Sequence, residues 1–462
     1  APWNGQAFPT SADWSYLANK GVATVRLPIA WESIQPTLGA ALDSTYLGKI
    51  QTALSQANTN HIGVIVDLHN FGAYCNQAHW LSSGCGYAGN QGNTGTGVNL
   101  LGDGTLTQSN FTDLWTRLST ALAGAPGLQG YGIMNEPSKN LIQYGTNLLF
   151  APNGFGDTIG SQPWFKTNGA AVTFLAAGSN PLGSTYGPAW DMDSGTGFGA
   201  VNQTFTLSAV PYDVSVYAKT LSGTQPLAFN IGSVNCGGKT VTTSWQRFDC
   251  TGTPTAGSGK LVNIVLSGSG SGRHIQVANA QLELGSAPTT YQPNVWVPYA
   301  QAAVTAIRAV DATTPIYING MGGGSAYQWP WVNWDLAQLT GGSLVFEAHQ
   351  YFDGSVAQGG GGGTYSGNFS SYGITTDAGV TEVTPFESWV ASTTVSSYVG
   401  EYGIPDNSKG DQSSWLTLQN LFLQSLLQNN IPSTMWFYGA SGIQSSNILN
   451  VSTSTNANAG AD

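Results

Sequence analysis

Two glutamates, Glu136 and Glu401, stand where carboxylates can do chemistry. Glu136 follows the apolar run 131–134 in the stretch QGYGIMNEPS, so a buried strand is predicted to stop where Asn135, Glu136 and Pro137 begin. Strand ends of this kind form the working face of a parallel barrel. Pro137 disfavours helical backbone at the residue before it, so Glu136 is expected to be extended and to aim its carboxyl group one way. Glu401 closes a second short run, 396–399, and is flanked by Gly400 and Gly403. Glycines there are expected to let another molecule approach closely. Either motif alone also reads as a turn with a solvated acid. Together they match retaining glycoside cleavage, which needs a nucleophile and an acid that turns base, about 5 Å apart.

The elements that must position these residues alternate in type. Residues 11–20 have helical spacing through Trp14, Leu17 and Ala18, and 22–29 is a near-continuous apolar strand carrying Arg26. Residues 42–60 predict the next helix, and 61–68 a second buried strand ending in His69 and Asn70. Residues 108–123 are amphipathic, with Phe111, Leu114, Trp115, Leu118 and Leu122 on one stripe. Repeated units of this kind predict a parallel sheet. From about residue 145 to 293 the rhythm breaks into short alternating segments, 201–208, 213–218, 227–231, 239–243, 260–266 and 275–282. Gly, Ser, Thr and Pro turns separate them, which is the pattern of an all-β sandwich. Helix and strand alternation returns with 295–310, 315–318, 344–350, 386–394, the Glu401 strand, 414–429 and a strand at 433–438.

Composition limits the partners. The chain of 462 residues is 41% hydrophobic with 15 Trp and 17 Phe, enough for large cores. Only 8% of residues are charged, against about 25% in ordinary soluble proteins. The net charge of −11 disfavours nucleic acid and anionic membrane. A neutral polymer is the expected partner, and a charge-poor chain is expected to tolerate acid. Cys75 with Cys85 and Cys236 with Cys250 lack the spacing of a zinc or redox site, so two local disulfides are predicted. They imply an oxidising, extracytoplasmic compartment. Residues 1–10 show no signal peptide, so the sequence reads as a mature form, and no run approaches a membrane span.

Outside residues 146–293 the chain resembles glycoside hydrolase family 5, retaining β-glycanases with a (β/α)8 TIM barrel, and is most similar to its cellulases. The stretches that carry the likeness are TVRLPIAWESIQPTLGAALDSTYL, GVIVDLHNFG, YGIMNEP, AVTAIRAVDATTPIYI, LVFEAHQYFD, YVGEYG and TMWFYGA. The resemblance places the family's functional set on Arg26, His69, Asn135, Glu136, His349, Tyr351, Glu401 and Trp436. It implies that Glu401 is an ionised nucleophile held by Arg26 and Tyr351. Glu136 is then the acid and later the base, Asn135 contacts the sugar 2-hydroxyl, and Trp436 offers a flat face. A structural ion pair for Arg26, core roles for His69 and His349 and core packing for Trp436 are the competing readings. A zinc site from His69, His79 and His349 lacks close spacing, His61 reads as structural, and neither metal nor cofactor is expected. Trp31, Phe71, Tyr74, Trp80, Trp329, Trp331 and Trp334 are candidates for outer subsites.

The segment 146–293 has a likeness of its own. NLLFAPNGF, YDVSVYAKT, SWQRFDCTGT and IQVANAQLELGSAPTTYQPN are similar to jelly-roll modules of the carbohydrate-binding and phage-tail type. A plain spacer is the alternative. Trp164, Tyr186, Trp190 and Trp245 are its candidate stacking residues, and a module leaving the chain just after Glu136 is expected to lie beside the cleft. The expected fold is thus an α/β (β/α)8 barrel, residues 1–145 and 294–462, interrupted after its fourth strand by a β-sandwich, 146–293. The family's first strand is not recognisable before residue 10, and an irregular edge at 1–8, residues upstream of this sequence, unusual closure or the tail from residue 443 is expected to account for it. The expected function is that of a secreted, monomeric, retaining endo-β-1,4-glucanase acting on β-linked polysaccharide. Mannanase, xyloglucanase or another specificity of the family is the alternative, and a glycan-binding protein with a spent site is the reading from another class.

Overall fold

The structure is a computed structural model that describes residues 8–75, 97–137, 139–152, 164–167, 169–175, 178–195, 197–268, 272–354 and 361–438. His79, Trp80 and Cys85, and most of residues 1–10 and all of the tail after 443, lie outside them. Two compact units emerge: Ala1–Leu141 with Pro298–Trp329 and Leu339–Asp462, and Ile142–Val297 with Pro330–Gln338.

The first unit is built on six parallel strands, β1 (Thr24–Ile29), β2 (Gly63–Leu68), β3 (Leu128–Gly132), β4 (Ile316–Asn319), β5 (Leu344–Tyr351) and β6 (Ser396–Gly403), each paired with the next. Helices α1 (Ser11–Asn19), α2 (Ser44–Thr59), α3 (Gln108–Leu122), α4 (Trp296–Arg308), α5 (Thr384–Thr393) and α6 (Gln412–Gln428) alternate with them except between β4 and β5, as parallel pairing needs crossover connections. Their starts are written in the sequence. Thr10 caps α1 in a reciprocal box with Asp13, Thr107 does the same for α3 with Asn110, and the Asp43 carboxylate accepts from Tyr46 N at the head of α2. The stripe predicted on α3 is buried entirely, and Trp115 from it donates to Ile133 O at 3.2 Å. That bond fixes the segment between β3 and Asn135. Inside the sheet Ile65, Tyr317 and Tyr398 pack together, and the absence of a side chain at Gly130 makes room for the Tyr317 ring.

The strand expected at 433–438 is reduced to one parallel bridge between Val399 and Ser433. Backbone bonds still tie it to β6, Val399 N to Pro432 O at 2.9 Å, Thr434 N to Val399 O at 2.9 Å and Trp436 N to Tyr402 O at 2.8 Å, but Pro432 has no N–H to give and Gly400 O is taken by the Thr434 hydroxyl at 2.7 Å. The described residues therefore hold six strands and one bridged position of the eight expected. No helix among them is long and apolar enough to cross a membrane.

The second unit is all-β. One antiparallel sheet runs Gln246–Gly252, Tyr212–Lys219, His274–Leu284, Trp190–Asp193, Ala171–Phe174; the other runs Val234–Val241, Gln225–Ile231, Gly257–Leu266, Gly199–Leu207, Phe165–Thr167. Each of the six segments expected there overlaps a strand, and alternate residues such as Val214, Val216, Ala218 and Leu227, Phe229, Ile231 are buried. Cys236 and Cys250 are bonded as predicted. Cys75 is also disulfide-bonded, though its expected partner Cys85 lies outside the described residues. The expected boundaries 146 and 293 become 142 and 297, and Pro330–Gln338 joins this unit, with Trp334 Nε1 donating to Ser184 O at 3.1 Å.

Candidate active site

Of the eight residues singled out by the sequence, Arg26 lies midway along β1, His349, Tyr351 and Glu401 lie in the carboxyl-terminal halves of β5 and β6, His69, Asn135 and Glu136 lie in the segments after β2 and β3, and Trp436 follows the bridged Ser433. Arg26 on β1 is the hub. Its Nη1 donates to Glu401 Oε1 at 2.8 Å and its Nη2 to Asn135 Oδ1 at 2.5 Å. It also pairs with Asp67 at 3.1 Å and Glu347 at 2.7 Å. Burial alone would weaken its charge, but Asp67, Glu347 and Glu401 outweigh that and raise its pKa. The competing reading of Arg26 as a structural ion pair is therefore also satisfied, in the same place.

The other carboxylate of the pair is held from β5. His349 Nδ1 lies 2.8 Å from Glu136 Oε1 and 3.6 Å from Glu401 Oε2, and its Nε2 lies 3.2 Å from Glu347 Oε1. Burial opposes its protonation, yet Glu401, Glu136 and Glu347 together raise its pKa to about 10, so at neutral pH both ring nitrogens donate. Tyr351 donates its hydroxyl to Glu401 Oε2 at 2.8 Å; burial and the same two acids push its own pKa well above the phenolic value. An oxygen of Glu136, an oxygen of Glu401 and a ring nitrogen of His349 all lie within 4.8 Å of one another.

His69 on the turn after β2 holds Asp67 at 2.8 Å and stacks on Trp436, ring centroids 5.3 Å apart and planes 3° from parallel. Burial drives the His69 pKa well below its ordinary value, so it is neutral, while burial lifts Asp67 up to about 7 against the pull of Arg26. Phe71 packs edge-on against the same imidazole at 5.2 Å. Trp436 is partly exposed and also contacts the Phe437 ring at 5.1 Å.

Three expectations are corrected. Glu136 is not extended: its φ is +37°. Its N–H donates to Asn319 Oδ1 at 3.0 Å, and Asn319 is itself held by Glu347 O at 3.1 Å. A side chain from β4 thus overrides the preference set by Pro137, at a cost of about 1–3 kcal/mol for left-handed backbone. Gly400 does not open the site to another molecule; a side chain there would overlap the Glu347 carboxylate. Among the aromatics proposed for outer subsites, Trp31, Tyr74 and Trp329 are core. Trp31 is fully buried against Tyr74 and Phe111, Tyr74 donates to Gln35 O, and Trp329 packs on Phe386 and Trp389. Trp331 and Trp334 belong to the β unit.

Sequence reasoning missed Asp67, Glu347 and Asn319. The first two had a signal: each sits two residues before a site histidine on a buried strand, hence on the same face. A charged residue in such a run needs a partner, and Arg26 is it.

A family profile described as cellulase, glycosyl hydrolase family 5, matches residues 1–180 and 279–442. The chain belongs to glycosyl hydrolase family 5. The break in the family match falls within the β unit. Among curated proteins it is 26% identical over 193 residues to the manganese dependent endoglucanase Eg5A of Phanerodontia chrysosporium, spanning 38% of this chain and 44% of that one. It is 29% identical over 123 residues to endoglucanase EG-II of Hypocrea jecorina, spanning 26% and 24%. The chain thus matches less than half the length of either relative. The fold is shared with the Pseudomonas stutzeri endoglucanase Cel5A, TM-score 0.52 at 20% identity over 96% of this chain and 81% of that one. Among the described residues, Glu136, His349 and Glu401 each bring one atom that could ligate a metal ion, all within 4.8 Å of one another. Both oxygens of Glu401 are taken by Arg26 and Tyr351, and His349 is shared between Glu136 and Glu347, so these donors are committed to each other.

In the β unit, Trp164 and Trp190 are buried, Trp164 donating to Ala151 O at 2.6 Å. They are packing residues, not platforms. Trp245 is part-exposed with Lys219 Nζ 5.2 Å from its ring centre. Tyr186 lines a cleft of about 380 Å³ with Tyr217, Arg247 and Tyr291. Arg247 lies over the Tyr217 ring at 5.8 Å and is anchored by Ser215 Oγ at 2.8 Å and by Thr289 O.

Proposed function

We propose that the chain is a secreted, retaining endo-β-1,4-glucanase that cleaves β-glucan by double displacement. The observation that carries this reading is the close approach of Glu136 and Glu401, with an oxygen of each within 4.8 Å. Retaining enzymes hold their carboxyl groups about 5–5.5 Å apart, whereas inverting ones leave about 6.5–9.5 Å for a water molecule.

In this reading Glu401, oriented by Arg26 and Tyr351, attacks the anomeric carbon while Glu136 gives its proton to the departing glycosidic oxygen. The covalent ester then forms as the glycosidic bond breaks. Water next attacks the same carbon, Glu136 takes its proton, and the bond to Glu401 breaks to release the sugar. Asn135 Nδ2 is buried and has no hydrogen-bond partner among the described residues, which suits donation to the sugar 2-hydroxyl. Trp436, backed by His69, is the platform for the ring at the cleavage point. The β unit is proposed to be a carbohydrate-binding module of jelly-roll type. Its sugar contacts would be the Tyr186, Tyr217 and Arg247 cleft and Trp245, a revision of the four aromatics first considered.

The test is a screen of wild type and Glu401→Ala on cellulose, mixed-linkage glucan, mannan, xylan and xyloglucan. Turnover of β-1,4-glucans that disappears in the variant is expected. Preference for mannan or xyloglucan would move the specificity within the family, and no turnover on any of them would leave a glycan-binding protein.

A further inference from the structure

The steps above make no use of Glu347, which is 1% exposed on β5. Its Oε1 lies 2.7 Å from Arg26 Nε and 3.2 Å from His349 Nε2. Arg26 is the residue that donates to Glu401, and His349 is the residue that donates to Glu136. One oxygen therefore sits at the middle of a continuous chain, Glu401 to Arg26 to Glu347 to His349 to Glu136. Gly400, on the neighbouring strand, is the space that admits it.

We propose that Glu347 is a positioning residue that ties the supports of the two catalytic glutamates together, so that nucleophile and acid/base are poised as one unit. The proposal rests on the roles assigned above to Glu136 and Glu401. Its physical content is that Arg26 and His349 must stay in place through a cycle in which Glu401 loses its charge on forming the ester. At that moment Arg26 loses the Glu401 anion, while beside His349 the charge passes from Glu401 to Glu136, which has given up its proton; Glu347 is the one anion that both cations keep throughout. Burial works against its own charge, but Arg26 and His349 outweigh burial and hold its carboxyl below the ordinary value. The other titratable groups near it are Asp67 and His69 from β2, Tyr317 from β4, and Tyr398 and Glu401 from β6.

The experiment reads the ring nitrogens of His349 by NMR in wild type, which needs no variant beyond His349→Asn to assign one of 5 histidines. Two ring protons between about pH 6 and 8 are expected, because the two nitrogens face two carboxylates. In Glu347→Gln the acid constant of His349 should rise at least about tenfold, kcat should fall about ten- to a hundredfold, and KM should stay within about threefold. A role in stability alone would lower Tm without moving the His349 titration. The proposal is overturned by a singly protonated His349 at pH 7 in wild type, or by a folded Glu347→Gln with wild-type kcat and titration. If that variant does not fold, the wild-type titration decides. Failure of wild type to cleave any β-glycan would remove the hydrolase reading while leaving the His349 measurement intact.

Discussion

Glu401 accepts from Arg26 and Tyr351, whereas Glu136 accepts from His349 and is more open to solvent. Two carboxylates in such different surroundings should fail differently when removed. Glu401→Ala is expected to lose at least about ten-thousandfold in kcat on every substrate, since no ester can form. Glu136→Ala should lose about 10²–10⁴-fold on cello-oligosaccharides but far less in the first step with dinitrophenyl cellobioside, whose leaving group needs no proton. Steady-state and burst kinetics on the two substrates check this, and equal losses on both would contradict the roles. The aromatics separate in the same way. Trp436→Ala should weaken turnover with little change in Tm, while Trp31→Ala, emptying a fully buried position, should cost about 3–5 kcal/mol of stability measured by denaturant unfolding.

At the scale of elements, the site depends on strand ends brought into register by neighbours that never touch a sugar. Asn319 on β4 holds Glu136 in left-handed backbone, so Asn319→Ala should lower kcat about tenfold or more by freeing that turn. Kinetics on a folded variant decide it, and an unchanged kcat would show that the turn keeps its geometry without Asn319. How far this was legible follows from the same residues. The alternation of elements and the buried stripe of α3 were readable because apolar period survives in a single chain. Glu136 and Glu401 were readable because each follows a short apolar run, and the other six were placed by the resemblance to the family. The backbone of Glu136 was not, since a local rule about proline cannot foresee a hydrogen bond from a residue on another strand. Trp31 and Trp329 were misplaced because a tryptophan at a strand end looks the same in sequence whether it faces a cleft or the helices behind.

For the whole molecule, acid tolerance follows from buried acids whose charged forms the fold disfavours. Burial raises Glu382 to about 8 and Asp335 to about 7, and lifts Asp67 up to about 7 against Arg26. A carboxyl raised in the folded state gives stability that is full below its unfolded pKa and is lost as pH rises through the folded one. That window runs from about pH 4 to about pH 8. Tm is therefore expected to be higher at pH 5 than at pH 8.5, with Glu382→Gln flattening the difference; a Tm that climbs across the same range would contradict this. Reduction of Cys236–Cys250, whose cysteines are 14 positions apart in sequence, should lower the stability of the β unit by about 3 kcal/mol in calorimetry. The central claim is a two-step displacement at one carbon by two facing glutamates. Following the anomeric proton of the first product by NMR, before mutarotation, tests it most directly. The β anomer should appear first, and initial release of the α anomer would contradict the account.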